Sequence, residues 1–103
     1  MYQHIKVPAT GEKITTSADF VLQVPDQPIM PYIEGDGIGS DITPVMLKVI
    51  NTAVEKAYDA KREIQWMEVY AGEKANTVYG ADVWLPDETV EAVKDFVVSI
   101  KGP

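Results

Sequence analysis

The sequence contains no cysteine, a single histidine and no apolar run of membrane-spanning length. The lack of cysteine excludes a disulfide framework, a thiolate nucleophile and a zinc–thiolate site. Basic residues are also scarce, because nine Lys and Arg stand against 16 Asp and Glu and leave a net charge of -7. Nucleic acids and anionic membranes usually bind basic surfaces, so neither is expected as a partner. Because residues 1–6 also lack the apolar core of a signal peptide, we expect a soluble, acidic, cytoplasmic protein.

Apolar residues make up 46% of the 103 residues, which is enough for the core of one small domain. From residue 29 onward their spacing predicts the order β-α-β-α-β, typical of an α/β fold with a mainly parallel sheet. The predicted elements are an apolar strand at 28–33, an amphipathic helix over 42–57, a strand at 63–70, a loop or short helix over 71–80, a helix opening at Pro86 and a strand at 97–100. The apolar face of the last helix is predicted from Val90, Val93 and Phe96 or Val97.

Residues 1–28 have a different pattern, with short β-type segments separated by turn residues. The segments at 5–7, 13–16 and 20–24 predict a small β-meander with a turn at 10–12, ended by Pro25 and Pro28. We expect this meander to be a structural extension of the following β-α-β-α-β unit.

Three alternating glycines, Gly35, Gly37 and Gly39, lie between the first predicted strand of that unit and its long helix. Such a turn permits positive φ and close approach to backbone, and the following helix N-terminus favours anionic ligands. The dinucleotide fingerprint G-x-G-x-x-G is nevertheless absent, because Ser40 and Ile42 stand where its last glycine would be required. A P-loop is excluded as well, since no Gly-Lys-Ser/Thr follows. A ligand-binding turn and a purely structural turn both remain open.

Few other side chains are candidates for chemistry. Glu34 and Asp36 are two residues apart on a turn, a spacing that does not by itself direct both carboxylates to one metal ion. Lys101 follows the last predicted strand, and ligands of open α/β sheets bind beyond the carboxyl ends of strands. It is therefore a candidate for binding a carboxylate or phosphate, the alternative being a solvated lysine. His4 is expected at the surface, and the two tryptophans, Trp66 and Trp84, as core or interface anchors.

At the glycine turn the sequence resembles a known family. The segment 32–39, followed by Asp41 and Thr43-Pro44, is similar to the opening motif of the β-decarboxylating dehydrogenases, which include the isocitrate and isopropylmalate dehydrogenases. Six further stretches resemble the bacterial NADP-dependent isocitrate dehydrogenases within that family, at 53–58, 66–70, 72–74, 78–80, 82–86 and 100–103. The resemblance covers essentially the whole chain in one register. It also accounts for the missing fingerprint, because this family binds its dinucleotide without one.

The resemblance implies oxidation of isocitrate by NADP and loss of carbon dioxide to give 2-oxoglutarate, with Mg²⁺ or Mn²⁺ as the metal, in a cytoplasmic homodimer of the tricarboxylic acid cycle and glyoxylate bypass. Residues 1–103 would then be the N-terminal segment of the large domain, incomplete and inactive alone, with 1–28 as the meander and 29–103 as the β-α-β-α-β portion. Of the family's functional residues, Lys101 is expected near substrate and nicotinamide, and Ile38 near the adenine side of the cofactor. No catalytic residue and no metal ligand is expected within this segment.

Two alternatives remain open. One is a segment of an isopropylmalate dehydrogenase or a related 2-hydroxy-acid dehydrogenase, which the residues following Pro103 would distinguish. The other belongs to a different class: a non-catalytic, acidic α/β module that binds a nucleotide or a protein partner.

Overall fold

A computed structural model describes residues 1–103, and its centre is a parallel four-stranded sheet. The strands are β1 (Glu12–Lys13), β4 (Pro28–Ile33), β5 (Gln65–Val69) and β6 (Ile100–Lys101). Strand β4 is central, because β5 pairs with it along its length while β1 and β6 pair with its beginning and its end. All of these pairings are parallel, which confirms the predicted α/β class and the mainly parallel sheet.

Three helices connect these strands. Helix α1 (Gly39–Ala57) joins β4 to β5, and α2 (Glu73–Tyr79) and α3 (Asp87–Asp95) lie between β5 and β6. The predicted order from residue 29 is therefore confirmed, with α2 as the short helix expected within 71–80. Pro44 lies inside α1, and the helix continues past it without interruption.

The core lies on one face of the sheet. Ile29 and Ile33 of β4 are aligned with Gln65 and Val69 of β5, so alternate residues of both strands share a face. On that face the buried cluster comprises Ile5, Ile29, Ile33, Met67, Val69, Ala92 and Phe96. Helix α3 thus covers this face. Helix α1 contacts the opposite face, where Nε1 of Trp66 donates to Oδ1 of Asn51 at 2.8 Å.

The predicted meander at 1–28 is partly wrong. Only β2 (Thr15–Thr16) and β3 (Leu22–Gln23) form an antiparallel pair, whereas β1 joins the main sheet. Residues 5–7 form no strand, because the N–H of Ile5 donates to the Glu88 carboxylate at 3.1 Å rather than to a neighbouring strand. Ile5 is instead buried in the core.

The last helix and strand also differ from the prediction. The buried side of α3 carries Thr89 and Ala92 and continues to Phe96, whereas Val90 is 51% exposed, so its assignment to the buried face was wrong. The strand predicted at 97–100 is confined to Ile100–Lys101. Val97 has φ = 71°, a left-handed conformation that turns the chain after α3 and is incompatible with a strand.

Candidate functional site

The glycine turn and the segment that contains Lys101 adjoin at the carboxyl-terminal edge of the sheet. Ile33, the last residue of β4, is paired with Lys101 of β6, and the N–H of Gly102 donates to the Ile33 carbonyl at 2.8 Å. Three residues after Ile33, the N–H of Asp36 donates to the Pro103 carbonyl at 3.0 Å. The glycine turn and the segment 101–103 therefore lie side by side.

The glycines of this turn have different roles. A Cβ on Gly35, whose φ is 89°, would lie 2.5 Å from the Pro103 carbonyl oxygen, and one on Gly39 would lie 2.5 Å from the Glu34 carbonyl oxygen. A Cβ on Gly102 would overlap that same Glu34 carbonyl. Since backbone already occupies these spaces, the three glycines serve the packing of two strand ends. This supports the structural interpretation of the turn at those positions.

Gly37 is the exception. Its φ is 57°, and a Cβ there would meet no atom within 4 Å, so this part of the turn opens to free space. The neighbouring Ile38 is 63% exposed and precedes α1 without a capping side chain. Gly37 and Ile38 are thus the accessible part of the turn.

Lys101 is exposed, and its Nζ donates only to the carbonyl of the neighbouring Gly102, at 2.9 Å. This bond is local and leaves two ammonium protons available for another partner. Lys101 and Ile38 thus lie at one edge of the sheet, and both are accessible.

Glu34 and Asp36 do not converge on a common point. Oε2 of Glu34 accepts from Nζ of Lys74 at 3.1 Å, and Oδ1 of Asp36 accepts from the N–H of Glu73 at 3.0 Å. Within the chain no group of three or more His, Cys, Asp or Glu side chains is placed to hold a metal ion. The residues present therefore do not fit Mg²⁺ or Mn²⁺, which require several oxygen ligands.

Lys74 is the residue of this region that the sequence did not single out. Its Nζ also donates to Oε2 of Glu68 at 2.5 Å, so one ammonium joins two carboxylates. Burial alone would lower the pKa of Lys74, but the hydrogen bonds to Glu68 and Glu34 outweigh this effect and raise it. Lys74 is separated from Glu34 by 40 residues, and no local spacing signals such a contact.

The histidine and the tryptophans lie outside this edge. His4 is exposed as predicted, with its ring packed edge-on against Tyr79 at 4.6 Å. Trp66 is half-buried and bonded to Asn51, consistent with an anchor. Trp84 is 57% exposed, so its prediction as a core residue is wrong and only the interface alternative remains a prediction.

Comparison with known proteins places this geometry in a family. Residues 29–103 match the family model described as isocitrate/isopropylmalate dehydrogenase. The chain belongs to the isocitrate/isopropylmalate dehydrogenase family. An isocitrate dehydrogenase [NADP] of Pseudomonas aeruginosa is 68% identical over 99% of this chain, and one of Coxiella burnetii is 67% identical over 99%. One of Nostoc is 50% identical over the whole chain.

The chain spans about a quarter of the length of these relatives, 24%, 24% and 22% respectively. The family match extends from β4 to the segment that follows β6. None of its helices combines the length and the apolar character needed to cross a membrane.

Proposed function

We propose that this chain forms part of an NADP-dependent isocitrate dehydrogenase, which oxidises and decarboxylates isocitrate to 2-oxoglutarate while reducing NADP. The observation that carries the proposal is the 68% identity to an isocitrate dehydrogenase [NADP] over 99% of the chain. The segment alone is expected to be inactive, because it corresponds to 24% of that relative. Its contribution is the edge of the sheet formed by the glycine turn and Lys101.

NADP supplies the hydride acceptor of the reaction. Within this chain, the open turn at Gly37 and the exposed Ile38 fit the apolar adenine part of such a cofactor. Lys101 is assigned to the substrate and the nicotinamide side, where its ammonium would pair with a carboxylate or phosphate oxygen. No other cation of the turn is free for this task, because Lys74 is held by Glu34 and Glu68.

The remaining attributes are proposed with the same enzyme. The metal, Mg²⁺ or Mn²⁺, would take its ligands from outside these 103 residues, since this chain brings no suitable group together. The complete protein is proposed to act as a cytoplasmic homodimer, with no nucleic-acid or membrane partner.

An isopropylmalate dehydrogenase is the second candidate, because the matching family model covers both activities. The experiment that separates them is a steady-state assay of the complete gene product with Mg²⁺, using either isocitrate or isopropylmalate and either NADP or NAD. We expect reduction of NADP that depends on isocitrate. Turnover of isopropylmalate without turnover of isocitrate would contradict the proposal, and absence of both activities would favour a non-catalytic module.

A further inference from the structure

Besides its backbone contacts with Gly102 and Pro103, the glycine turn is held by side-chain contacts. The Asp36 carboxylate lies within the turn and accepts from the N–H of Glu73, the first residue of α2, at 3.0 Å. Gly72 precedes that helix with φ = 77°, and a Cβ at this position would overlap the Asp36 carboxylate. Asp36 therefore fits a space that only a glycine at 72 leaves open.

Lys74 makes the second set of side-chain contacts to the turn. Its ammonium binds Glu34, the residue immediately before Gly35, at 3.1 Å and Glu68 of β5 at 2.5 Å. The side chains of Glu34 and Glu68 are each 25% exposed, so the interaction is only partly screened by water. Without the lysine, two half-buried carboxylates would face each other unpaired.

Together these contacts hold both ends of the turn but not its centre. Gly35 and Gly39 are packed against backbone, Asp36 is bonded to α2, and Glu34 is bonded to Lys74. The carbonyl of Glu34 accepts in addition from Oγ1 of Thr43, at 2.7 Å. Gly37 and Ile38 have only local contacts, because the Gly37 carbonyl accepts from Oγ of Ser40 at 3.2 Å and the Ile38 carbonyl from the N–H groups of Asp41 and Ile42 at 3.0 Å. These are the residues assigned above to the cofactor.

We propose that Asp36 and Lys74 are positioning residues: by tying the glycine turn to α2 and β5, they set the placement of Gly37 and Ile38 and thereby the affinity for the dinucleotide. The inference rests on the proposed function. Both side chains act through contacts within the chain, because Oδ1 of Asp36 accepts from the N–H of Glu73 and the ammonium of Lys74 donates to Glu34 and Glu68.

The test compares Asp36→Ala with Asp36→Asn, and Lys74→Met with Lys74→Arg, in the full-length protein. Asparagine keeps an oxygen that can accept from Glu73, and arginine keeps a cation between the two carboxylates. Lys48→Met is the control, because Lys48 is an exposed lysine of α1 without a hydrogen bond or ion pair. Two quantities are measured: hydrogen exchange of the amides at 35–39, and the Kd for NADP without isocitrate by calorimetry.

Asp36→Ala and Lys74→Met are expected to accelerate exchange at 35–39 and to weaken NADP binding about tenfold, because the apparent Kd rises as the binding conformation of the turn becomes less populated. The conservative variants and the control should remain close to the wild type. Unchanged exchange and unchanged Kd would overturn the inference, as would faster exchange spread over the whole sheet, because the residues would then hold the fold rather than the turn. If the wild type itself does not bind NADP, the proposed function fails, and the exchange data still decide the positioning of the turn.

Discussion

At the scale of single residues, one carboxylate binds residues 3–5, called here the N-terminal arm, to helix α3. Glu88, in the first turn of α3, accepts from the N–H groups of Gln3, His4 and Ile5 at 2.9–3.1 Å and from the Tyr79 hydroxyl at 2.9 Å. Partial burial would raise the pKa of Glu88, but these hydrogen bonds outweigh it, and the pKa is lowered. The same contact, together with burial, raises the pKa of Tyr79.

Protonation of Glu88 should therefore release the arm. Because the pKa is lower in the folded chain than in the unfolded one, the carboxylate contributes stability that is complete above the unfolded value of about 4.3 and is lost as the pH falls through the folded value. Amide exchange at Gln3–Ile5, corrected for intrinsic rates, should accelerate in the wild type as the pH falls through the lowered pKa of Glu88. Glu88→Gln should show that acceleration already at pH 6.

The matched control for this prediction is Glu91→Gln. Glu91 is exposed on the same helix and makes no hydrogen bond or ion pair, so its replacement should leave the arm protected. Equal protection of the arm at pH 6 in Glu88→Gln and in the wild type would show that burial of Ile5 alone holds it.

At the scale of elements, the apolar side of helix α1 is only partly covered. Met46, Ile50 and Val54 are half-buried, whereas Ile42, Val45 and Val49 are 48%, 58% and 61% exposed. The exposed residues are three and four positions apart and form a stripe that adjoins the half-buried one. A contiguous exposed apolar stripe of this kind is typical of a contact surface. We therefore expect the exposed stripe to be covered in the complete protein.

This expectation is tested by Val45→Ala and Val54→Ala in the full-length protein. Although Val45 is exposed in the present chain, both substitutions should lower the free energy of unfolding by about 1 kcal/mol or more, as truncation of a packed side chain does. Lys48→Ala is the control on the polar side of α1 and should change the free energy of unfolding little. Denaturant unfolding measures all three, and a neutral Val45→Ala would show that the stripe remains exposed to solvent.

The elements also show how far the sequence predicts the fold. Strand β4 and helix α1 were predicted because their patterns are local: an apolar run before a glycine turn, then a 3.6-residue period. Residues 5–7 were wrongly assigned to a strand, and the contact that Ile5 makes there, with Glu88 more than 80 positions away, has no local signal in the sequence. Within the site, the position of Lys101 beyond the end of a strand was predicted, whereas its place beside the glycine turn and the contacts of Lys74 with Glu34 and Glu68 required the folded chain.

At the scale of the whole molecule, the chain buries only part of its apolar surface. Beside the stripe on α1, the exposed large apolar residues include Phe20 at 90%, Trp84 at 57% and Leu85 at 59%. Such exposure is unusual for a self-contained domain and agrees with a chain that spans about a quarter of its relatives. The proposed enzyme would bury these surfaces and complete the site beyond Lys101.

The most direct test of this account is the replacement of Lys101 by methionine in the complete protein. We predict that kcat/KM for isocitrate falls at least about tenfold, as expected for loss of one charged contact to a ligand. The thermal midpoint should not change, because Lys101 is exposed and bonds only to the neighbouring Gly102. Lys94→Met, at another exposed lysine, should leave both quantities unaltered. If Lys101→Met retains wild-type kcat/KM, the edge formed by the glycine turn and Lys101 does not bind substrate or cofactor in the way proposed.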